Sequence, residues 1–446
     1  MIPLPTISSM KGNSFSIENV MVVNEGERFQ ATICIEDGRI ASLTKALPQT
    51  GSEEEVLLLP GIIDGHVHMR EPGLTHKASM ESETRAAARG GVTTVLDMPN
   101  VVPQTTTLQL LKERYALAEG KCHVNYGFYL GATNDNLEEI KQLDPTQSPG
   151  VKLFMGSSTG GMLVDRDEQL RQTFRSSPTL IMTHCEDTAR INANMAEVKR
   201  QYGEDPDVRF HPVIRDHEAC YRSTELAVRL AKEEGARLHV AHITTAKELE
   251  LFSPNDEKIT AEACVPHLLF TEEDYETLGS RIKCNPAIKT KADREALRKA
   301  LTDGRIRTIG TDHAPHLLSE KQGGCLKAMS GMPMVQFSLP AMLGLMEEGV
   351  LSIERLVELM CHNPARLYNI KERGFIREGY WADFTLVRKK SWTLTKDCIE
   401  SSCGWSPLEG RKFDWQVEKT WVNGKLVWDG TSVSQPPEGK SVIFNS

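Results

Sequence analysis

The chain has 446 residues, enough for one large domain with a smaller one beside it. Hydrophobic residues make up 39% and charged residues 25%, the balance of a globular chain rather than a disordered or fibrous one. The net charge is −9 with no run rich in Lys and Arg, which argues against nucleic acid as a partner, and no stretch reaches the roughly 18 apolar residues of a membrane span.

Met1 to Lys11 lacks a basic segment followed by an apolar core, so no secretion signal is expected. Ten cysteines lie scattered from Cys34 to Cys403 without a C-x-x-C pair. They read as reduced thiols of a cytoplasmic protein, with Cys185 and Cys264 serving packing.

Residues 14–60 read as short strands: Ser16 to Val23, Ala31 to Ile35, then Glu36 to Ile40 with an Asp37-Gly38 hairpin turn. From residue 61 the rhythm changes. Strand-like runs at 61–68, 92–98, 123–130, 151–155, 180–184, 237–242, 259–264 and 306–312 alternate with helical ones. Ser223 to Lys232, for example, puts Leu226, Ala227 and Leu230 on one helical stripe. Eight strands separated by helices predict a (β/α)8 TIM-like barrel over residues 61–370. Two stretches interrupt the rhythm, a polar insertion at 186–222 and more than one element within 268–305. The tail returns to strand and turn at Gly374 to Val387, and to a hairpin at Thr420 to Trp428 with an Asn423-Gly424 turn. Residues 1–60 and 371–446 are predicted to join into a composite small β-sandwich-type domain beside the barrel.

Gly61-Ile-Ile-Asp-Gly-His-Val-His-Met-Arg70 is the stretch on which function turns. Alternation along a strand puts Asp64, His66, His68 and Arg70 on one face. Ile63, Val67 and Met69 take the other face, where Gly65 leaves a gap. Imidazoles two apart can reach one metal ion, and a guanidinium two further on can grip a carboxylate. Chemistry in such a barrel sits at the C-terminal ends of the strands. Those ends carry Asp97-Met-Pro-Asn100, Lys152, His184, His242, His267 and Thr311-Asp-His-Ala-Pro-His316.

Four histidines and one aspartate are enough for two divalent metal ions, with a bridging hydroxide as nucleophile. No carboxylate stands where a second bridge is needed. Lys152 does, and a lysine that reacts with CO2 becomes a carbamate with two ligating oxygens; burial favours the free amine this needs. His242 is preferred over His239, which is three residues earlier and aimed to the other face. No site role is expected for His76, His123, His211, His217 or His362.

With these motifs in order, the sequence resembles the amidohydrolase superfamily and, within it, the dihydroorotases. The carriers are Gly61 through His-Val-His-Met-Arg-Glu-Pro-Gly73, Asp97 to Asn100, Gly150 to Phe154, Thr183 to Glu186, Ala241-His-Ile243, Val265-Pro-His267, Cys284-Asn-Pro286, Gly310 to His316, Asn363 to Arg366 and Gly374 to Gly379. The resemblance implies reversible conversion of N-carbamoyl-L-aspartate to L-dihydroorotate in pyrimidine synthesis. It implies that His66 and His68 bind one metal and His184 and His242 the other. Lys152, carboxylated, would bridge them, and Asp312 would both ligate the first metal and carry protons. Arg70, Asn100 and His316 would hold the substrate carboxylate and Asn285 would contact the ring. The histidine-rich shell favours zinc.

In some relatives an aspartate shortly after the lysine does the bridging; Met155-Gly-Ser-Ser158 offers no carboxylate, which favours the carbamate. Pro266-His267-Leu268 departs from the usual Pro-His-His, which leaves the role of His267 open. Leu317 to Met334, with Gly323, Gly324 and Gly331, is the candidate mobile loop. A homodimer is expected. The rival readings are a hydantoinase, dihydropyrimidinase or allantoinase, and a non-catalytic scaffold for a partner such as aspartate transcarbamoylase.

Overall fold

The computed structural model describes residues 4–9, 14–46, 56–156 and 162–445. Residues 1–3 and 10–13 and Ser157-Ser158 lie outside these residues, so the sequence readings made there stand apart from the fold. Five strands open the chain: β1 Thr6–Ser9, β2 Phe15–Asn24, β3 Glu27–Glu36, β4 Arg39–Lys45 and β5 Val56–Pro60. Asp37 and Gly38 both take positive φ, 48° and 81°, which lets a tight turn follow the strand twist between β3 and β4.

Nine barrel segments follow: β6 Ile62–Val67, β7 Val92–Asp97, β8 Asn125–Phe128, β9 Leu130–Gly131, β10 Val151–Phe154, β11 Ile181–His184, β12 Leu238–Val240, β13 Ile259–Cys264 and β14 Thr308–Gly310. The tail adds β15 Phe384–Thr393, β16 Lys412–Val422 and β17 Lys425–Trp428. The β16–β17 turn is Asn423-Gly424, again with positive φ at both residues.

Head and tail share one sheet in the order β17-β16-β15-β5-β2-β3-β4, with β1 on β2. β15 joins the ends by running antiparallel to β5, Phe384 opposite Pro60. Leu58, Val22, Ile33, Phe384 and Trp421 build a small core on one face. Alternation sends Leu57, Leu59 and Val23 to the other face, into the barrel's own core. The two hairpin turns touch, since a Cβ on Gly38 would stand 2.5 Å from the Asn423 carbonyl oxygen.

The barrel strands pair in parallel from β6 to β8 and from β9 to β14. The ring closes where Val67 bridges His313 and the His68 amide donates to the His313 carbonyl at 2.7 Å. The third predicted strand is interrupted at Tyr129. Its hydroxyl donates to Gly65 O at 3.0 Å, filling with Tyr368 the gap that Gly65 leaves. The eighth strand is shorter than predicted because Asp64 takes the Thr311 amide (3.2 Å) and hydroxyl (2.5 Å), diverting the backbone out of the ladder. The amphipathic stretch at 223–232 lies inside the helix His217–Glu234, capped by Asp216 and stopped by left-handed Gly235. Among the described residues no helix is long and apolar enough to cross a membrane.

A buried polar network ties the tail to the barrel. Asp383 accepts from the Asn423 amide at 2.7 Å, from Asn125 at 3.2 Å and from Arg373. Asn423 in turn donates to Asn125 at 2.9 Å. Asp383→Ala would leave Arg373 buried without its anion, and one-sided removal of such a partner costs about 3–5 kcal/mol. Equilibrium urea unfolding of that variant is expected to show a loss of this size; an unchanged midpoint would show that the network carries no stability.

Candidate active site at the barrel mouth

Three residues on the rim hold left-handed backbone: Arg70 (φ 68°), His242 (φ 37°) and Asp312 (φ 48°). Each costs on the order of 1 kcal/mol for a side chain with a Cβ, so each must be held by its surroundings. Arg70 is tied by its carbonyl to the Leu74 amide at 3.0 Å and by Nε to Pro315 O at 3.0 Å. The His242 amide donates to Glu262 Oε1 at 3.2 Å. Thr311 and His313 clasp each other across Asp312, the His313 amide donating to Thr311 Oγ1 at 3.0 Å.

The turned rim brings His66, His68, Arg70, Asn100, Lys152, His184, His242, Asn285 and Asp312 around one cavity, together with Phe154, Ala314, Ser330 and Gly331. Nine of the ten residues expected at the site therefore share one wall. The tenth, His316, is fully buried against Arg70, Nε2 to Nη2 3.0 Å.

Burial pushes His66, His68 and His242 below the ordinary histidine pKa, so their rings are neutral with one N–H each. The network places these protons. His66 Nδ1 donates to Glu262 Oε1 at 2.8 Å, and His68 Nδ1 donates to Asn100 Oδ1 at 2.9 Å. The inner nitrogens then carry lone pairs. Both face Asp312 Oδ1, His66 Nε2 at 3.3 Å and His68 Nε2 at 3.0 Å. Three acceptors converge with no hydrogen among them, an arrangement that a cation resolves. At His184, Nε2 donates to Glu186 Oε2 at 2.8 Å, which leaves Nδ1 as an acceptor 2.9 Å from His242 Nε2, while His242 Nδ1 has no hydrogen-bond partner among the described residues. Arg215 holds Glu186 from behind.

Lys152 lines the same cavity. It is fully buried, and its Nζ has no hydrogen-bond partner among the described residues; the ring centroid of Phe154 is 5.2 Å away. Burial lowers its pKa and so favours the unprotonated amine. An orphaned buried amine on one cavity wall with the His66–His68–Asp312 acceptors and the His184–His242 pair fits a site for divalent metal, with the lysine able to become a ligand once modified.

Several residues act here that the sequence reading passed over. Glu262, on β13, orients His66 and the backbone of His242, and Gly310 makes room for it, since a Cβ there would lie 2.5 Å from Glu262 Oε2. A lone carboxylate inside the apolar run Ile259–Cys264 was the available clue. Glu186, at the end of the Thr183 to Glu186 run, orients His184 and is itself held by Arg215. His211 holds the ring-contact candidate Asn285, Nε2 to Oδ1 at 3.1 Å. His267 donates to Pro286 O at 3.0 Å from the helix Val265–Leu269 and is absent from the cavity wall. His239 is structural, bonded to Thr260 and Thr308. Leu317 to Met334 is not a loosely held loop: buried Lys321 donates to Lys283 O (3.1 Å), Met329 O (2.6 Å) and Gly331 O (2.7 Å), pinning it from within.

The chain has counterparts along most of its length among known proteins. A model of the amidohydrolase family matches residues 57–427. The dihydroorotase of Halobacterium salinarum is 34% identical over 92% of this chain and 93% of its own length. That of Pyrococcus furiosus is 30% identical over 92% of each. Among solved structures, the L-hydantoinase (dihydropyrimidinase) of Arthrobacter aurescens superposes with a TM-score of 0.88 at 27% identity, covering 96% of this chain and 99% of that one.

Glu262→Gln keeps the shape of the side chain and removes the charge that orients His66. Loss of such an outer partner typically weakens metal binding 10–100-fold. Zinc affinity measured by chelator competition is expected to fall by about that factor with the circular dichroism spectrum unchanged; equal affinity would assign Glu262 to folding alone.

Proposed function

We propose that this chain, which belongs to the amidohydrolase family, acts within that family of cyclic-amide hydrolases as a dihydroorotase, interconverting N-carbamoyl-L-aspartate and L-dihydroorotate in pyrimidine synthesis. The observation that carries the reading is Arg70. Its guanidinium is buried and lines the cavity, and among the described residues it has no carboxylate within ion-pair distance. Burial brings its pKa down only to about 10, so it is a cation at neutral pH. A buried, unpaired cation is costly unless the ligand brings the anion. Dihydroorotate carries a carboxylate next to its reacting amide. Hydantoin and dihydropyrimidine rings have none there, so the likeness to the hydantoinase of Arthrobacter aurescens supports the fold and the amide chemistry more than the substrate.

Two divalent ions, zinc being suited to this shell, would be held by His66, His68 and Asp312 and by His184 and His242, with carboxylated Lys152 between; bound there they supply Lewis acidity and water of lowered pKa. The chain's own groups do the rest. Arg70 and Asn100 fix the carboxylate, so the amide carbonyl meets the nucleophile in one orientation. Asp312 takes the proton of the attacking water and returns it to the leaving ring nitrogen. Glu262 and Glu186 keep the imidazoles in the tautomers that face inward. Formation of the carbamate needs only the free amine and CO2: the N–C bond forms and one proton leaves.

The decisive assay follows ultraviolet loss of dihydroorotate beside hydantoin and dihydrouracil, with and without chelator. The purified protein is expected to turn over dihydroorotate fastest and to lose activity with chelator; preference for either uncharged ring would overturn the substrate assignment. Arg70→Ala removes a charge-assisted contact of about 1.5–3 kcal/mol, so KM for N-carbamoyl-L-aspartate is expected to rise about 10–100-fold. Protein prepared with 13C-bicarbonate is expected to show a carbamate carbon resonance that Lys152→Gln lacks; its absence from the unsubstituted protein would refute the modification.

A further inference from the structure

Lys77 reaches the carboxylate side of the site from behind. It is 8% exposed. Its Nζ lies 3.0 Å from His316 Nδ1 and 3.1 Å from Glu320 Oε1. Paired with that carboxylate, the ammonium has only protons to offer, so His316 Nδ1 must accept. Burial, with the positive charges of Arg70 and Lys77 alongside, pushes His316 far below the ordinary histidine pKa, and its ring is neutral. Its one proton then sits on Nε2 and donates to Ser330 O at 3.0 Å. Arg70 Nη2, 3.0 Å from that same Nε2, finds a proton there rather than a lone pair and cannot donate to it.

The opposite tautomer is worse. It would set Nδ1–H against the Lys77 ammonium and the Nε2 lone pair against the Ser330 carbonyl, satisfying one contact of the three where the first tautomer satisfies two.

We propose that Lys77 is a positioning residue: by occupying His316 Nδ1 it fixes the tautomer that leaves the Nη2–H of Arg70 uncommitted and available to the substrate carboxylate. The inference rests on the reading of Arg70 as the carboxylate clamp. Without Lys77 each tautomer satisfies one of the two remaining contacts, and the freed Glu320 carboxylate, its Oε2 3.8 Å from His316 Nδ1, draws the proton to Nδ1; Nε2 then accepts from Arg70, and the guanidinium is spent inside the protein. The same logic makes His316 a controller of the clamp, one layer back from the cavity.

Two measurements test it. In protein labelled with 15N-histidine, His316, assigned by comparison with His316→Gln, is expected to show the Nε2–H tautomer, and the Nδ1–H tautomer in Lys77→Met. A wild-type Nδ1–H signal would overturn the proposal, whatever the substrate proves to be. With N-carbamoyl-L-aspartate, Lys77→Met is expected to raise KM about tenfold, the scale of one charge-assisted contact, with kcat within about twofold. Lys77→Arg, also a pure donor, is expected to restore KM. An unchanged KM, or equal losses in kcat from both variants, would overturn it. If the unsubstituted protein does not act on N-carbamoyl-L-aspartate at all, the substrate reading fails, and the spectrum alone decides for Lys77. If Lys77→Met does not fold, the wild-type spectrum and the Lys77→Arg kinetics decide.

Discussion

The site depends on one constraint: three of its four inward-facing imidazoles have the outer nitrogen tied to an acceptor, so the inner nitrogen presents a lone pair. Glu262 does this for His66, Asn100 for His68 and Glu186 for His184. A histidine left to itself can satisfy its neighbours by shifting a proton. Here that freedom is removed, and the converging acceptors become a standing demand for positive charge. The strained backbone at Arg70, His242 and Asp312 is part of the same constraint, because relaxing any of the three would swing its side chain off the shared wall.

Much of this was legible in the sequence because β6 alternates. A period of two fixes which residues share a face, and His66 and His68 met with nothing more than that rule. Lys152, His184 and His242 were legible because a barrel exposes only the ends of its strands. What was not legible came from across the ladder or from outside the strands. Glu262 matters through a neighbouring strand, and no spacing along β13 reports that. The break at Tyr129 depends on Gly65 from a different strand. His267 was grouped with strand ends but sits on a helix turned to Pro286. The glycines of 317–334 suggested looseness, whereas the deciding residue was a lysine buried among three carbonyls, which composition cannot show.

Charge is distributed around the site with the same discipline. Buried Arg114 and Arg373 each have a buried aspartate, Asp97 and Asp383, and both pairs serve the frame. Among the described residues Arg70, which lines the cavity, has no such partner.

The join between β5 and β6 has a consequence for how the molecule is made. Only Gly61 separates a strand of the composite sheet from the strand bearing His66, and a Cβ there would collide with Thr93 and Asp383. β5 finds its partner β15 more than three hundred residues later. During synthesis the head strands therefore leave the ribosome with an edge on β5 that stays unpaired until β15 has emerged.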